Sequence, residues 1–150
     1  MLAIGLQESR FTYPFQVLDP NDLTRKGPAR GYWQFERTGG VRALMRHPRT
    51  TGLVYRLLED RQIIWDETVV WKTLETDHVL AAAFARMLLW ADPHALPAAT
   101  DVKAAWAMYL TAWGPGKPHE KTWAENHRRA KQYYTLQNPS RAKYLPDEKS

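Results

Sequence analysis

Residues 77–93 read Asp-His-Val-Leu-Ala-Ala-Ala-Phe-Ala-Arg-Met-Leu-Leu-Trp-Ala-Asp-Pro. Asp77 is a good N-cap, and Asp92-Pro93 stops a helix. Between them the chain is apolar nearly all round, which predicts a central core helix rather than a surface one. The apolar run Val79 to Ala91 is interrupted by Arg86 and falls short of the ~20 residues that cross a bilayer, so no membrane span is expected.

Outward from that helix the pattern stays helical. Thr100-Asp101 caps Val102 to Trp113, which Gly114-Pro115-Gly116 closes. A last helix is predicted over Lys121 to Leu136, ended by Asn138-Pro139, and the final dozen residues read as loosely attached. Upstream, Leu53, Val54, Leu57 and Leu58 follow Thr50-Thr51 at amphipathic spacing, and Gly39-Gly40 opens Val41 to His47. Val69 to Leu74 is β-branched enough to read as strand or helix. Leu2 to Glu8 is a short helix, and Phe11 to Gly31 reads as loop, with a turn at Asp19-Pro20-Asn21-Asp22. Only Arg30 to Phe35 alternates like a strand. The expected fold class is mainly α with at most a small β element.

Composition bounds the function. The chain has 150 residues, 44% hydrophobic and 25% charged, so one compact domain can bury about two-thirds of its unfolded surface. With Cys 0, disulfide scaffolds, thiolate metal sites and a Cys nucleophile are excluded. Ser occurs only at 9, 140 and 150, so no Ser-His-Asp arrangement is arguable, and the five His show no metal-ligand spacing. No metal or cofactor is assigned. Gly114-Pro115-Gly116-Lys117 lacks the rest of a phosphate loop. The first eight residues carry no basic n-region and reach Glu8 early, so no secretory signal of its own is expected. Residues 117–150 hold 8 Lys and Arg against 4 Asp and Glu, and carry most of the +5 net charge. That excess is either a solvated helix face with a basic tail or an attraction for a polyanion. A nucleic-acid binder would use Arg128, Arg129, Lys131, Arg141 and Lys143, but no recognised module accompanies them, and nucleic acid is not the favoured partner.

Two clusters carry chemistry. Glu8 ends an otherwise apolar helix, followed by Ser9-Arg10-Phe11. The negative end of the helix dipole and desolvation by Ile4 and Phe11 both disfavour its ionised form, whereas Arg10 folded back would favour it. A carboxyl kept protonated near neutrality is what acid-catalysed glycoside cleavage needs, although an exposed residue at a frayed helix end also fits the spacing. The second cluster is Gly31-Tyr32-Trp33-Gln34-Phe35-Glu36. Alternation places Tyr32, Gln34 and Glu36 on one face, suited to hydroxyls and amides, and turns Trp33 and Phe35 to the core.

Taken together, Gln-Glu-Ser-Arg-Phe at 7–11 and Gly-Tyr-Trp-Gln-Phe-Glu at 31–36 resemble the lysozyme-like superfamily, in particular lytic transglycosylases and goose-type lysozymes. The Ala-Arg-Gly-x-x-Gln wording is also similar to family 19 chitinases. The resemblance implies Glu8 as the catalytic acid, Ser9 as its supporting hydroxyl and Gln34 as the cleft amide. Glu36 falls where goose-type enzymes place a carboxylate. Trp106 to Lys117 resembles the transglycosylase Tyr-Asn-Ala-Gly-Pro-Gly motif, whose Tyr holds the catalytic Glu. Here the Asn is absent and two extra residues separate Tyr109 from Gly114. Tyr109 and Trp113 join Ser9, Tyr32 and Gln34 as candidate substrate-binding residues on that basis.

As a whole the chain looks like small bacteriophage proteins with a lysozyme-like domain. The resemblance covers residues 1–117 and implies them as the catalytic domain; residues 118–150, outside it, read as a C-terminal helix and basic tail packed on or extending from it. It implies cleavage of the β-1,4 bond between N-acetylmuramic acid and N-acetylglucosamine of peptidoglycan, in a phage virion or the host periplasm and cell wall. Glu36 holding a water leads to hydrolysis, and attack by the 6-hydroxyl of muramic acid leads to a 1,6-anhydro product. The alternative is a virion part that keeps the fold for assembly or local wall penetration, docked to other virion proteins by its Tyr-containing tail (Tyr133, Tyr134, Tyr144). Of the seven Trp, Trp65, Trp71, Trp90 and Trp106 are expected in the core.

Overall fold

The structure is a computed structural model and describes residues 1–139. It is mainly helical with one small antiparallel sheet. The elements run α1 (Leu2–Ser9), β1 (Phe15–Val17), β2 (Lys26–Arg30), β3 (Phe35–Glu36), α2 (Arg42–Arg46), α3 (Thr51–Asp60), α4 (Glu67–Thr73), α5 (His78–Ala91), α6 (Val102–Trp113) and α7 (Glu120–Gln137). A wide turn over Arg37–Val41, broken at Gly39, joins β3 to α2.

The central helix is α5. Its Asp77 cap accepts from Leu80 N, and Leu80, Ala81, Phe84, Ala85, Met87 and Leu89 are buried. It is not apolar-buried all round as expected, because Val79, Arg86 and Trp90 form an exposed stripe. The same core cluster holds Val41 just before α2, Leu44 and Met45 of α2, Val54 and Leu58 of α3, Val70 of α4 and Leu74 just after it. The ambiguous segment at Val69 is helical. Asp66 accepts from Thr68 N and Val69 N, and Val70 and Leu74, one turn apart, enter the core. Capping and burial outweigh the β-branched propensity here.

The stretch expected as loop holds two strands instead. β1 and β2 pair antiparallel at Phe15↔Arg30 and Val17↔Lys26, so the single residue Gln16 stands opposite Gly27, Pro28 and Ala29. That bulge explains the misreading: Pro28 has no N–H to donate, and a position outside the ladder needs none. The bulge carbonyls are taken by side chains. Arg30 donates to Gly27 O and Ala29 O, and the Trp71 indole to Pro28 O. β2 pairs with β3 at Ala29↔Glu36 and Arg30↔Phe35. Residues 31–34 between them form a turn, not the predicted extended strand, with Gly31 at φ 73 and Gln34 at φ 54.

The C-terminal helix α7 packs along α1. Trp123, 3% exposed, stacks on Tyr109 of α6 at 5.2 Å between centroids, with Trp106 at 5.4 Å, and donates to Val102 O. Gln7 of α1 bonds His119 O, Thr122 and Asn126. Trp65 and Trp90 correct the core assignment: they are 44% and 50% exposed, Trp65 against Tyr55 and Trp90 beneath the Arg49 guanidinium. Trp71 and Trp106 are half-buried. Arg128 of α7 pairs with Glu125, and Arg141, Lys143, Tyr144 and the rest of the tail lie outside the described residues. No described helix is long and apolar enough to cross a membrane.

Candidate active site

The end of α1 sets the site. Arg10 and Phe11 both adopt φ 54, an uncommon conformation for side-chain-bearing residues, and reverse the chain. Arg10 N donates to Leu6 O, and Ser9 Oγ accepts from Phe11 N. The Phe11 ring lies back on α1 at Gly5, where a Cβ would stand 2.2 Å from its Cζ. Glycine at that position is what lets the reversal close.

Glu8 sits on the last turn before this reversal, half-buried. Tyr109 Oη donates to Glu8 Oε1 at 2.6 Å, across 101 residues of sequence. Burial pushes the Glu8 pKa above the ordinary carboxylate range, and the Tyr109 hydrogen bond opposes that rise by favouring the charged form. Arg10 is not among the groups that shift it. The Tyr109 phenol is itself pushed well up, first by burial and then by Glu8, so it stays a donor.

The turn at 31–34 is tied to the same place by its carbonyls. Gly31 O accepts from Gln34 N and Nε2, Tyr32 O from Ser9 Oγ at 2.8 Å, and Trp33 O from the Trp113 indole at 3.0 Å. Ser9 therefore bonds the neighbouring turn, not the Glu8 carboxyl, and serves to hold the two sequence clusters together. Gln34 in the left-handed region costs roughly 1–2 kcal/mol, which these bonds offset.

Two concavities, of about 440 and 610 Å³, meet at this point. Both are lined by Gln7, Glu8, Gln16 and Gln34, and these four residues form the boundary, or waist, between them. The smaller continues over Tyr13 and Phe15, and the larger over Glu36, Tyr109, Trp113 and the loop from Gly114 to Lys117. Volumes of this order hold small ligands. Glu36 is exposed on the wall of the larger concavity. Tyr32 is not brought to the groove. Because 31–34 turns instead of alternating, its ring packs on Phe11 at 5.5 Å and His78 at 4.8 Å. Among the described residues no three His, Cys, Asp or Glu cluster as metal ligands would.

Sequence reasoning passed over Gln16, inside the stretch read as loop, and Gln7, beside Glu8 but given no role. The strand of Phe15 to Val17 is too short to show a period, and Gln7 acquires its place only through α7. Compared with models of protein families, with curated proteins and with solved structures, the chain matches none.

Proposed function

We propose that this protein is a lysozyme-like, glycoside-cleaving enzyme acting on the β-1,4 bond between N-acetylmuramic acid and N-acetylglucosamine of peptidoglycan. The observation that carries the reading is Glu8: a half-buried carboxyl of raised pKa, held by Tyr109 at the waist of a two-lobed groove. A scissile bond at the waist leaves sugars in both lobes. Protonated Glu8 delivers its hydrogen to the bridging oxygen as the C1–O bond breaks and positive charge develops on the ring. On one route the resulting carboxylate, stabilised by the Tyr109 hydroxyl, acts as base and takes the proton of the 6-hydroxyl as that oxygen attacks C1, giving a 1,6-anhydro sugar and returning Glu8 to its acid form. On the other, Glu36 holds a water across the ring and takes its proton as the water attacks C1, giving hydrolysis with inversion, and the two carboxyls recover their starting protonation by exchange with solvent. Gln34 offers an amide to the sugar, and the Trp113 ring an aromatic wall.

The setting that fits is a bacteriophage protein acting from the virion or within the host periplasm, with the C-terminal tail as its attachment to other virion proteins. The test is turbidity loss of purified peptidoglycan with the wild type and Glu8→Gln, the products read by mass spectrometry. Clearing by the wild type alone is expected. Anhydro ends or reducing ends then choose the route, and intact protein that clears nothing leaves the virion-assembly role in its place.

A further inference from the structure

Gln16 stands apart in this molecule. Its Oε1 is sealed from solvent with no hydrogen-bond partner, the one such side-chain atom among the described residues. Leaving a buried acceptor unmade is costly, and native structures seldom do so without a use for the group. The neighbourhood sharpens the contrast, since the three carbonyls of the bulge facing Gln16 all have side-chain donors. The amide rests on Gly27, where even a Cβ would stand 2.2 Å from Oε1 and 2.6 Å from Cδ. Gln16 stands opposite this bulge and, with Glu8, lines both concavities at the waist between them.

We infer that Gln16 is a glycan-binding residue whose amide leaves Gly27 on substrate binding and accepts a hydrogen bond from a sugar N–H or O–H at the waist. This rests on the glycosidase reading and adds to it the group that grips the sugar beside the scissile bond. Rotation of the side chain is enough, because Oε1 has no bond to break on leaving. The unpartnered oxygen of the free protein gains its donor only in the complex, so its cost is relieved by binding and the gain appears as affinity. A purely structural glutamine would already have its partners in the free protein.

The experiment measures binding of tri-N-acetylchitotriose by calorimetry in the Glu8→Gln background, which removes turnover, together with thermal midpoints. Adding Gln16→Met, close in length but without an acceptor, is expected to weaken binding about tenfold while leaving Tm unchanged or higher. Gly27→Ala, which denies the amide its resting place, is expected to bind at least as tightly as its parent. Affinity unchanged by Gln16→Met overturns the inference, as does a lowered Tm that marks the amide as structural. Should the wild type clear peptidoglycan while Gln16→Met keeps full affinity, only this inference falls. If the wild type neither binds the trisaccharide nor clears the polymer, the glycosidase reading falls and takes this one with it.

Discussion

Glu8 lies under two opposed influences. Burial favours the protonated carboxyl, the Tyr109 hydroxyl favours the carboxylate, and burial is the larger. In the interval between the ordinary carboxylate pKa and the raised one, folded protein still holds a proton that unfolded protein has lost. The contribution of Glu8 to folding stability therefore falls as pH rises through that interval, whereas Glu67, Asp92 and Glu125, whose pKa values are lowered by their partners, contribute in the opposite sense. Glu8→Gln, which does not titrate but can still accept from Tyr109, is expected to lower kcat by about 10²–10⁴. Its Tm should gain on the wild type as pH rises from 4 to 7, as thermal melts across that range will show. Tyr109→Phe removes the bond that lowers the Glu8 pKa. The alkaline limb of the kcat/KM profile, where the acid form is lost, should move to higher pH. Glu36, Lys117 and His119 line the same groove, so the profile is best compared between variants at one ionic strength.

At the scale of the element, α4, α5 and α6 owe their starts to single side chains. Asp66, Asp77 and Asp101 each accept from backbone N–H groups of the first turn. Asp66→Ala should cost about 1 kcal/mol by denaturant unfolding. The short helix α1 depends more on what lies against it. Gly5→Ala drives a methyl into the Phe11 ring, and overpacking of this kind costs about 1–3 kcal/mol. Because the chain reversal at Arg10 and Phe11 positions Glu8, this variant should lose activity even at temperatures where it is folded. Legibility followed the same division. Asp77 and Asp101 announce their helices in the sequence, since capping is local. The strands β1 and β2 were hidden, since their pairing through a bulge involves partners 9 and 15 residues apart and a proline that ordinarily argues against a strand.

For the whole molecule the decisive contact is α7 on α1 and α6. Trp123 stacks on Tyr109, Tyr109 holds Glu8, and Gln7 is fastened to α7 by Asn126 and Thr122. The helix is thus a buttress of the Glu8 carboxyl as well as a layer of the core. Trp123→Ala should cost about 3–5 kcal/mol of stability and lower kcat with it. By contrast, Trp65→Ala, on the exposed surface, should leave activity unchanged and move Tm little, a pair that one melting series and one turbidity assay can compare.

The sequence by itself determined the helical class, the Asp77 and Asp101 caps and the central place of residues 78–91, because these follow from local periodicity and residue chemistry, and its resemblance to the lysozyme-like superfamily singled out Glu8 and Gln34 as candidates. Only the tertiary structure decided the rest: that Tyr109 reaches Glu8, that Ser9 bonds the turn rather than the carboxyl, that Tyr32 turns away, and that Gln16 stands at the waist. Each of those depends on contacts between segments distant in the chain. A pKa or an unpartnered oxygen is a property of the surroundings that such contacts create, and no single stretch of residues encodes it.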